Sequence, residues 1–195
     1  AGNTGKGLLD GFTITGGDAK NGSGFDINGE GINHNYGGGM YIDNSSIVVL
    51  NSIFKNNKAK ERGAGVFVEN KAKPIFQNVV LMDNEADNNN GDGGAFFIND
   101  SNTKLTLINC TVIRNKASDG GAIRFDDDAQ FVSYNSIYYQ NTTKNNKGSL
   151  NENFGFNTSK VNINTFINNN KGTISNNIIQ YFAQGTNNRY VDPMI

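Results

Sequence analysis

Cysteine, histidine, proline and tryptophan are almost missing from this chain: one Cys, one His, two Pro and no Trp in 195 residues. The lone Cys110 leaves no partner for an intrachain disulfide and excludes a metal site built on paired cysteines. The single His34 leaves a histidine-based triad or a histidine-rich metal centre with almost nothing to work with, and it reads as a surface loop residue. Neither sign of charge is in excess, with 17 basic and 18 acidic residues dispersed along the chain. That balance gives no electrostatic reason to expect nucleic acid or an anionic membrane as a partner. Long apolar runs are also absent: Ile47 to Leu50 and Val79 to Met82 are far too short to span a bilayer, so no membrane insertion is expected. Ala1 onward shows no charged-then-apolar targeting segment, which is read as removed or as lying outside this stretch.

What is abundant is Asn, with 35 residues, and Gly, with 24. Both tolerate left-handed backbone and make tight turns, so the chain turns often. A low apolar fraction would argue for disorder. The apolar residues are periodic, which argues against it.

One phrase recurs: three small residues, then apolar, bulky, apolar, acid or amide. It reads Gly37-Gly38-Gly39-Met40-Tyr41-Ile42-Asp43, Gly63-Ala64-Gly65-Val66-Phe67-Val68-Glu69, Gly93-Gly94-Ala95-Phe96-Phe97-Ile98-Asn99 and Gly120-Gly121-Ala122-Ile123-Arg124-Phe125-Asp126, at spacings of 26, 30 and 27 residues. A second phrase places one Asn at Asn51, Asn78, Asn109, Asn135 and Asn164, and another six residues later at Asn57, Asn84, Asn115, Asn141 and Asn170. Two independent phrases sharing a period of roughly 27 residues mark a solenoid, propeller or array. Helix is disfavoured, because β-branched and aromatic residues fill the apolar positions and Gly or Asn interrupts every few residues. The expectation is an all-β parallel β-helix with two or three short strands per coil. Five to seven coils advancing roughly 4.8 Å each would make a rod of roughly 25 to 35 Å.

Strand alternation sorts the columns. Met40, Val66, Phe96 and Ile123, with Ile42, Val68, Ile98 and Phe125, should face inward. Tyr41, Phe67, Phe97 and Arg124, with Asp43, Glu69, Asn99 and Asp126, should face outward. In the second phrase Ile47 and Val49, Pro74 and Phe76, Leu105 and Leu107 share parity with Asn51, Asn78 and Asn109. Those amides are therefore predicted to point inward at a corner, stacked as a hydrogen-bonded Asn ladder. The repeat runs almost from the first residue, since Gly17-x-Ala19 stands where Asn57-x-Ala59 stands later. The expectation is one domain over residues 1–195, cut from a longer protein with flanking domains, with an insertion loop at about 20–35. After Asn141 the pattern loosens, with a coil expected around Leu150 and Phe154, the Asn phrase again at Val161 to Asn170, and an apolar segment at Ile174 to Ile179.

Three groups of residues are candidates for chemistry. Arg124 with Asp126, Asp127 and Asp128 is the nearest match to a catalytic set, although a strand-end acidic run is usually a solvated turn. Asp26, Asn28 and Glu30, followed by Gly31, open like a Ca²⁺ loop, but Gly37 stands where the bidentate Glu should be. Asp87 to Asp92 is a poorer version of the same. The outward column Tyr41, Phe67, Phe97 would make a flat apolar strip suited to sugars or to a protein partner, with Arg124, Asp43 and Glu69 beside it. Cross-strand stacking or coverage by the 20–35 loop is the plain alternative. A regular outward Thr array, as ice binding would want, is not visible.

Asp10-Gly11-Phe12-Thr13-Ile14-Thr15-Gly16-Gly17, the Met40-Tyr41 phrase, Asn135-Ser136-Ile137-Tyr138 and the closing Val191-Asp192-Pro193-Met194-Ile195 resemble the right-handed parallel β-helix superfamily, the pectate-lyase-like fold. They are similar in particular to repeat proteins secreted by Bacteroidota. Gly120-Gly121-Ala122-Ile123 and Phe54-x-x-Asn57 also resemble motifs of chlamydial polymorphic outer-membrane adhesins. The resemblance implies a bacterial extracellular or cell-surface protein, and it covers stalks, adhesins, lyases and hydrolases alike. Family lyases use acidic Ca²⁺ ligands with an Arg or Lys base, and family hydrolases use clustered Asp on neighbouring coils. Two function classes follow. The first is a non-catalytic stalk or adhesin that presents a face to a glycan or a cell-surface protein. The second is a carbohydrate-active enzyme, or part of one, acting on acidic polysaccharide. The absence of a convergent catalytic set favours the first.

Overall fold

Left-handed residues set the corners of this fold. In the computed structural model, which describes residues 7–20, 24–27, 29–87, 89–144, 154–156, 172–175 and 178–179, Gly37, Gly63, Gly93 and Gly120 have φ of 64°, 60°, 71° and 61°, and Asn51, Asn78, Asn109 and Asn135 have φ of 46°, 56°, 52° and 50°. Between corners the chain is extended, and each coil lays its strands in parallel on those of the coil before.

Four parallel sheets result. The glycine phrases form one, from Met40–Asp43, Val66–Glu69, Phe96–Ile98, Ile123–Phe125 and Phe154–Phe156. Leu8–Asp10, Val48–Leu50, Ile75–Gln77, Lys104–Ile108, Gln130–Tyr134 and Gly172–Ser175 form the second. The third holds Thr13–Thr15, Ile53–Lys55, Val80–Met82, Thr111–Ile113, Ile137–Tyr139 and Ile178–Ile179. The fourth has two-residue strands at Asp18–Ala19, Lys58–Ala59, Glu85–Ala86, Lys116–Ala117 and Thr142–Thr143. A coil thus carries four strands rather than two or three, because the fourth is too short to show periodicity. Its register brings Lys58 beside both Asp18 and Glu85, and Glu85 beside Lys116, so signs alternate along the rod and favour this register over a slipped one.

The register repeats the sequence period. Val66 pairs with Met40 and Phe96, and Phe96 with Ile123. The inward columns fill one continuous core, with Val49, Phe54, Val66, Phe76, Leu81, Phe96, Leu105, Val112, Ile123 and Phe131 fully buried. The predicted late coil is present as Phe154–Phe156, and the Ile174 to Ile179 segment as two strands. Leu150, Val161 to Asn170 and the closing Tyr190 to Ile195 lie outside the described residues.

The interior amide ladder exists, but the second set of asparagines builds it. Asn57, Asn84, Asn115 and Asn141 are buried. The Nδ2 of each of the first three donates to the next Oδ1 at 2.9 Å. The same Oδ1 accepts the preceding Asn backbone N–H at 3.0 to 3.1 Å. The other Nδ2 proton goes to a carbonyl one coil back: Ile14, Phe54, Leu81 and Val112, respectively. Asn51, Asn78 and Asn109, predicted inward, are exposed and form a looser outer file, with Asn78 to Asn51 at 3.2 Å and Asn109 to Asn78 at 3.4 Å. Alternation fails there because a positive φ at the Asn reverses the side on which the next residue falls. Ser52, Val79, Cys110 and Ser136 then point inward instead.

The expected 20–35 loop contains an antiparallel hairpin, Phe25–Ile27 against Glu30–Ile32, with Gly29 at φ 87° just before the second strand. Asp26 lies opposite Gly31 and Glu30 opposite Ile27, and Asn28 falls outside the described residues.

The two asparagine files should respond differently to truncation. Asn84→Ala leaves two donors of Asn57 without an acceptor, while the Asn115 Oδ1 keeps the residue 84 backbone N–H, and should cost about 2–6 kcal/mol, since each buried group left unpaired costs about 1–3 kcal/mol. Asn78→Gly, which keeps the left-handed backbone that Asn78 adopts at φ 56°, should cost under about 1 kcal/mol, because water replaces the lost side-chain bonds. Urea unfolding midpoints of the two variants check the difference.

Candidate functional site

Each left-handed glycine folds the chain back on the sheet it is about to enter. A Cβ at Gly63 would sit 2.4 Å from the Val66 carbonyl oxygen, and one at Gly93 2.2 Å from that of Phe96, so only glycine fits. The fold-back brings the residue before each glycine over the outer face of the glycine sheet. Tyr36, Arg62, Asp92 and Asp119 therefore form a file of parallel bridges, opposite the outward column Tyr41, Phe67, Phe97 and Arg124.

This file corrects the expected open aromatic strip. Phe67 and Phe97 do point away from the coil, but they are 0% and 1% exposed, and only Tyr41 keeps part of its surface. The rings stack along the axis, Tyr41 to Phe67 at 4.9 Å and Phe67 to Phe97 at 5.5 Å. Tyr36 packs on Phe67 at 4.8 Å, and the Arg62 guanidinium lies over Phe97 and Tyr36 at 4.8 and 5.2 Å. The cover comes from Tyr36 and Arg62. The readable signal was position, since the covering residue directly precedes the first glycine in every copy of the phrase.

Further along the groove aromatics give way to ions. The Arg124 side chain, 10% exposed, bonds Asp119 through Nη1 and Asp126 through Nε at 3.3 Å, with Asp92 at 3.7 Å. Asp92 and Asp119 come from the covering file and escape a reading of strand parity alone. Asp126 is where the sequence placed it. Asp127 and Asp128 fall in an exposed turn at φ 46° and 62°. Asp43 and Glu69 neighbour each other in the outer column as expected, Glu69 accepting the Tyr41 hydroxyl proton, while one buried carboxylate oxygen of Asp43 has no partner.

Burial raises the carboxyls of Glu69, Asp119 and Asp126 above their ordinary range, and it pushes Asp92 up to about 6; Arg124 opposes the rise at all three aspartates. Tyr41 is raised by burial and by its bond to Glu69. Five carboxylates thus share this face with two guanidiniums, and the three around Arg124 are held at a cost in desolvation. Among the described residues no group of three His, Cys, Asp or Glu side chains is arranged to hold a metal ion.

A family model described as "Right handed beta helix region" matches residues 3–131. No curated protein and no solved structure matches the chain.

Two outcomes follow from the ion cluster. Because the folded-state values of Asp92, Asp119 and Asp126 lie above those of an unfolded chain, folding takes up protons, and stability rises as pH falls from 7 through about 6 toward 4. Asp92→Asn should flatten that slope, read as denaturation midpoint against pH. Arg124→Met should lose about 3–5 kcal/mol at pH 7.5, where it strands buried charge, and less at pH 5, where the carboxyls accept protons.

Proposed function

The chain belongs to the right-handed β-helix family, and on that premise we propose that it is a non-catalytic rod that presents the outer face of its glycine sheet to a glycan or a cell-surface protein outside the cell. The supporting observation is the state of Arg124. A lyase of this fold needs an Arg or Lys free to take a proton; Arg124, the candidate base, is bound by three carboxylates and nearly buried, and the second guanidinium of the face, Arg62, is held flat against two rings. Such a residue holds a surface in shape. On the same face lie Tyr41, Asp43, Glu69 and Asp126, whose oxygens suit the hydroxyls of a sugar or the donors of a protein surface. The rigid register beneath fixes their spacing at one coil, roughly 4.8 Å. Among the described residues no helix is long and apolar enough to cross a membrane. The dispersed charge gives nucleic acid no basic patch to bind.

One observation favours the second reading, a polysaccharide hydrolase. Asp92, near 6, is poised to give up a proton near neutral pH, with Asp119 and Asp126 close by. A lyase acting on acidic polysaccharide is less well supported, because the net negative face repels it.

Adsorption to a glycan and protein panel, run beside reducing-end and unsaturated-product assays, separates the readings. The expected outcome is retention weakened several-fold by Glu69→Gln, with no turnover. Release of reducing ends that Asp92→Asn abolishes, or turnover of an acidic polysaccharide abolished by Arg124→Ala, would overturn the proposal.

A further inference from the structure

Three arginines lie among the described residues, and they are not alike. Arg114 makes a two-pronged pair with Asp83, both bonds at 2.8 Å. Arg124 is held by its three aspartates. The guanidinium of Arg62 has neither a hydrogen bond nor an ion pair among the described residues; its contacts are the faces of Tyr36 and Phe97. Asp92 and Asp126 feel its charge, but neither comes within 4.0 Å of it.

An arginine in that situation has paid most of the cost of binding in advance. The two rings hold the guanidinium, the residue is half-buried, and its side-chain N–H donors have no acceptor among the described residues. A planar fork of donors on a rigid shelf matches a carboxylate or sulfate, which has two oxygens at the same spacing. We infer that Arg62 is the oxyanion-binding point of the outer face. This rests on the reading of that face as a presenting surface, and it specifies the chemistry of the partner.

The surrounding charge narrows the ligand further. Asp43, Glu69, Asp92, Asp119 and Asp126 share the face. A polyanion aligned with the rod would meet a carboxylate for nearly every charge after the first, and is disfavoured. A ligand with one isolated acidic group among hydroxyls fits: the acid takes Arg62, and the hydroxyls donate to the neighbouring carboxylates. The ligand class is therefore a sparsely charged glycan bearing single uronate or sulfate units.

The test follows the Arg62 Nε–Hε resonance by NMR during titration with methyl glucuronide, methyl glucoside, acetate and polygalacturonate. Arg114 serves as the internal control. The expected result is a saturable shift of Arg62 alone with methyl glucuronide, none with methyl glucoside, weaker binding of acetate, and polygalacturonate no tighter per residue than the monoacid. Arg62→Lys keeps a cation on the rings but loses the fork, so affinity should fall about tenfold with the thermal midpoint unchanged. An unmoved Arg62 resonance, an equal response at Arg114, or full affinity in Arg62→Lys would overturn the assignment. Acetate binding as tightly as the glucuronide would overturn the glycan part of it. If panel retention depends on Glu69 while Arg62 stays silent, only this inference falls. If Arg62 titrates and the panel is blank, the oxyanion site stands and the presenting-rod reading loses its partner.

Discussion

Stacked side-chain amides set the terms for the rest of this molecule. The inner asparagines Asn84 and Asn115 are at least four-fold bonded: both Nδ2 protons are engaged, and one oxygen accepts both the preceding asparagine's amide and its backbone N–H. A buried amide with any of those bonds missing would cost more than a typical single hydrogen bond contributes, so the column tolerates only one rise per coil and one register. The four sheets inherit both. The hydrophobic columns could slide along the axis with little change in burial, whereas the amides could not.

Because the register is fixed from inside, the outside is free to be chemically uneven. One face alternates charge, two mix aliphatic with polar side chains, and the glycine sheet carries a second layer made by the residues that precede its glycines. That layer is a small core in its own right. Phe67 and Phe97 are as buried as any residue of the interior, yet they lie on the other side of the backbone from it. Aromatic stacking at its start and ion pairing at its end stabilise the same fold-back by different physics. Arg62 sits at the boundary, a cation held by rings rather than by carboxylates.

Period, strand class and the inward apolar columns were legible in the sequence because each repeats in every coil, and a repeated choice outweighs local ambiguity. The corner at Asn51 was not, since alternation assumes an unbroken strand and one left-handed residue reverses it. The sequence puts the aromatic column on the correct side, but leaves its exposure open between a free strip and stacked, covered rings, for a related reason. Parity tells which way Phe67 points, but not that Gly63 turns Arg62 back over its neighbours. The cluster around Arg124 was half visible: Asp126 follows from strand parity, while Asp92 and Asp119 needed the same fold-back. A file reading Tyr36, Arg62, Asp92, Asp119 looks like noise along the chain because its members share a place rather than a residue type.

The coil that runs from Gly63 to Gly93 is longer than its neighbours, yet Val66 and Phe96 pair as closely as any other two rungs, and Asn84 bonds Asn115 at the same 2.9 Å. The extra residues fall between Asp87 and Gly91, where Asn89 and Asn90 are exposed, and they leave that register unchanged. Coils of this kind separate inheritance of shape from invention of surface: new loops can be written into any turn of the spiral without renegotiating the fold, so lineages of such proteins can diverge in what they touch while remaining superimposable in how they stand.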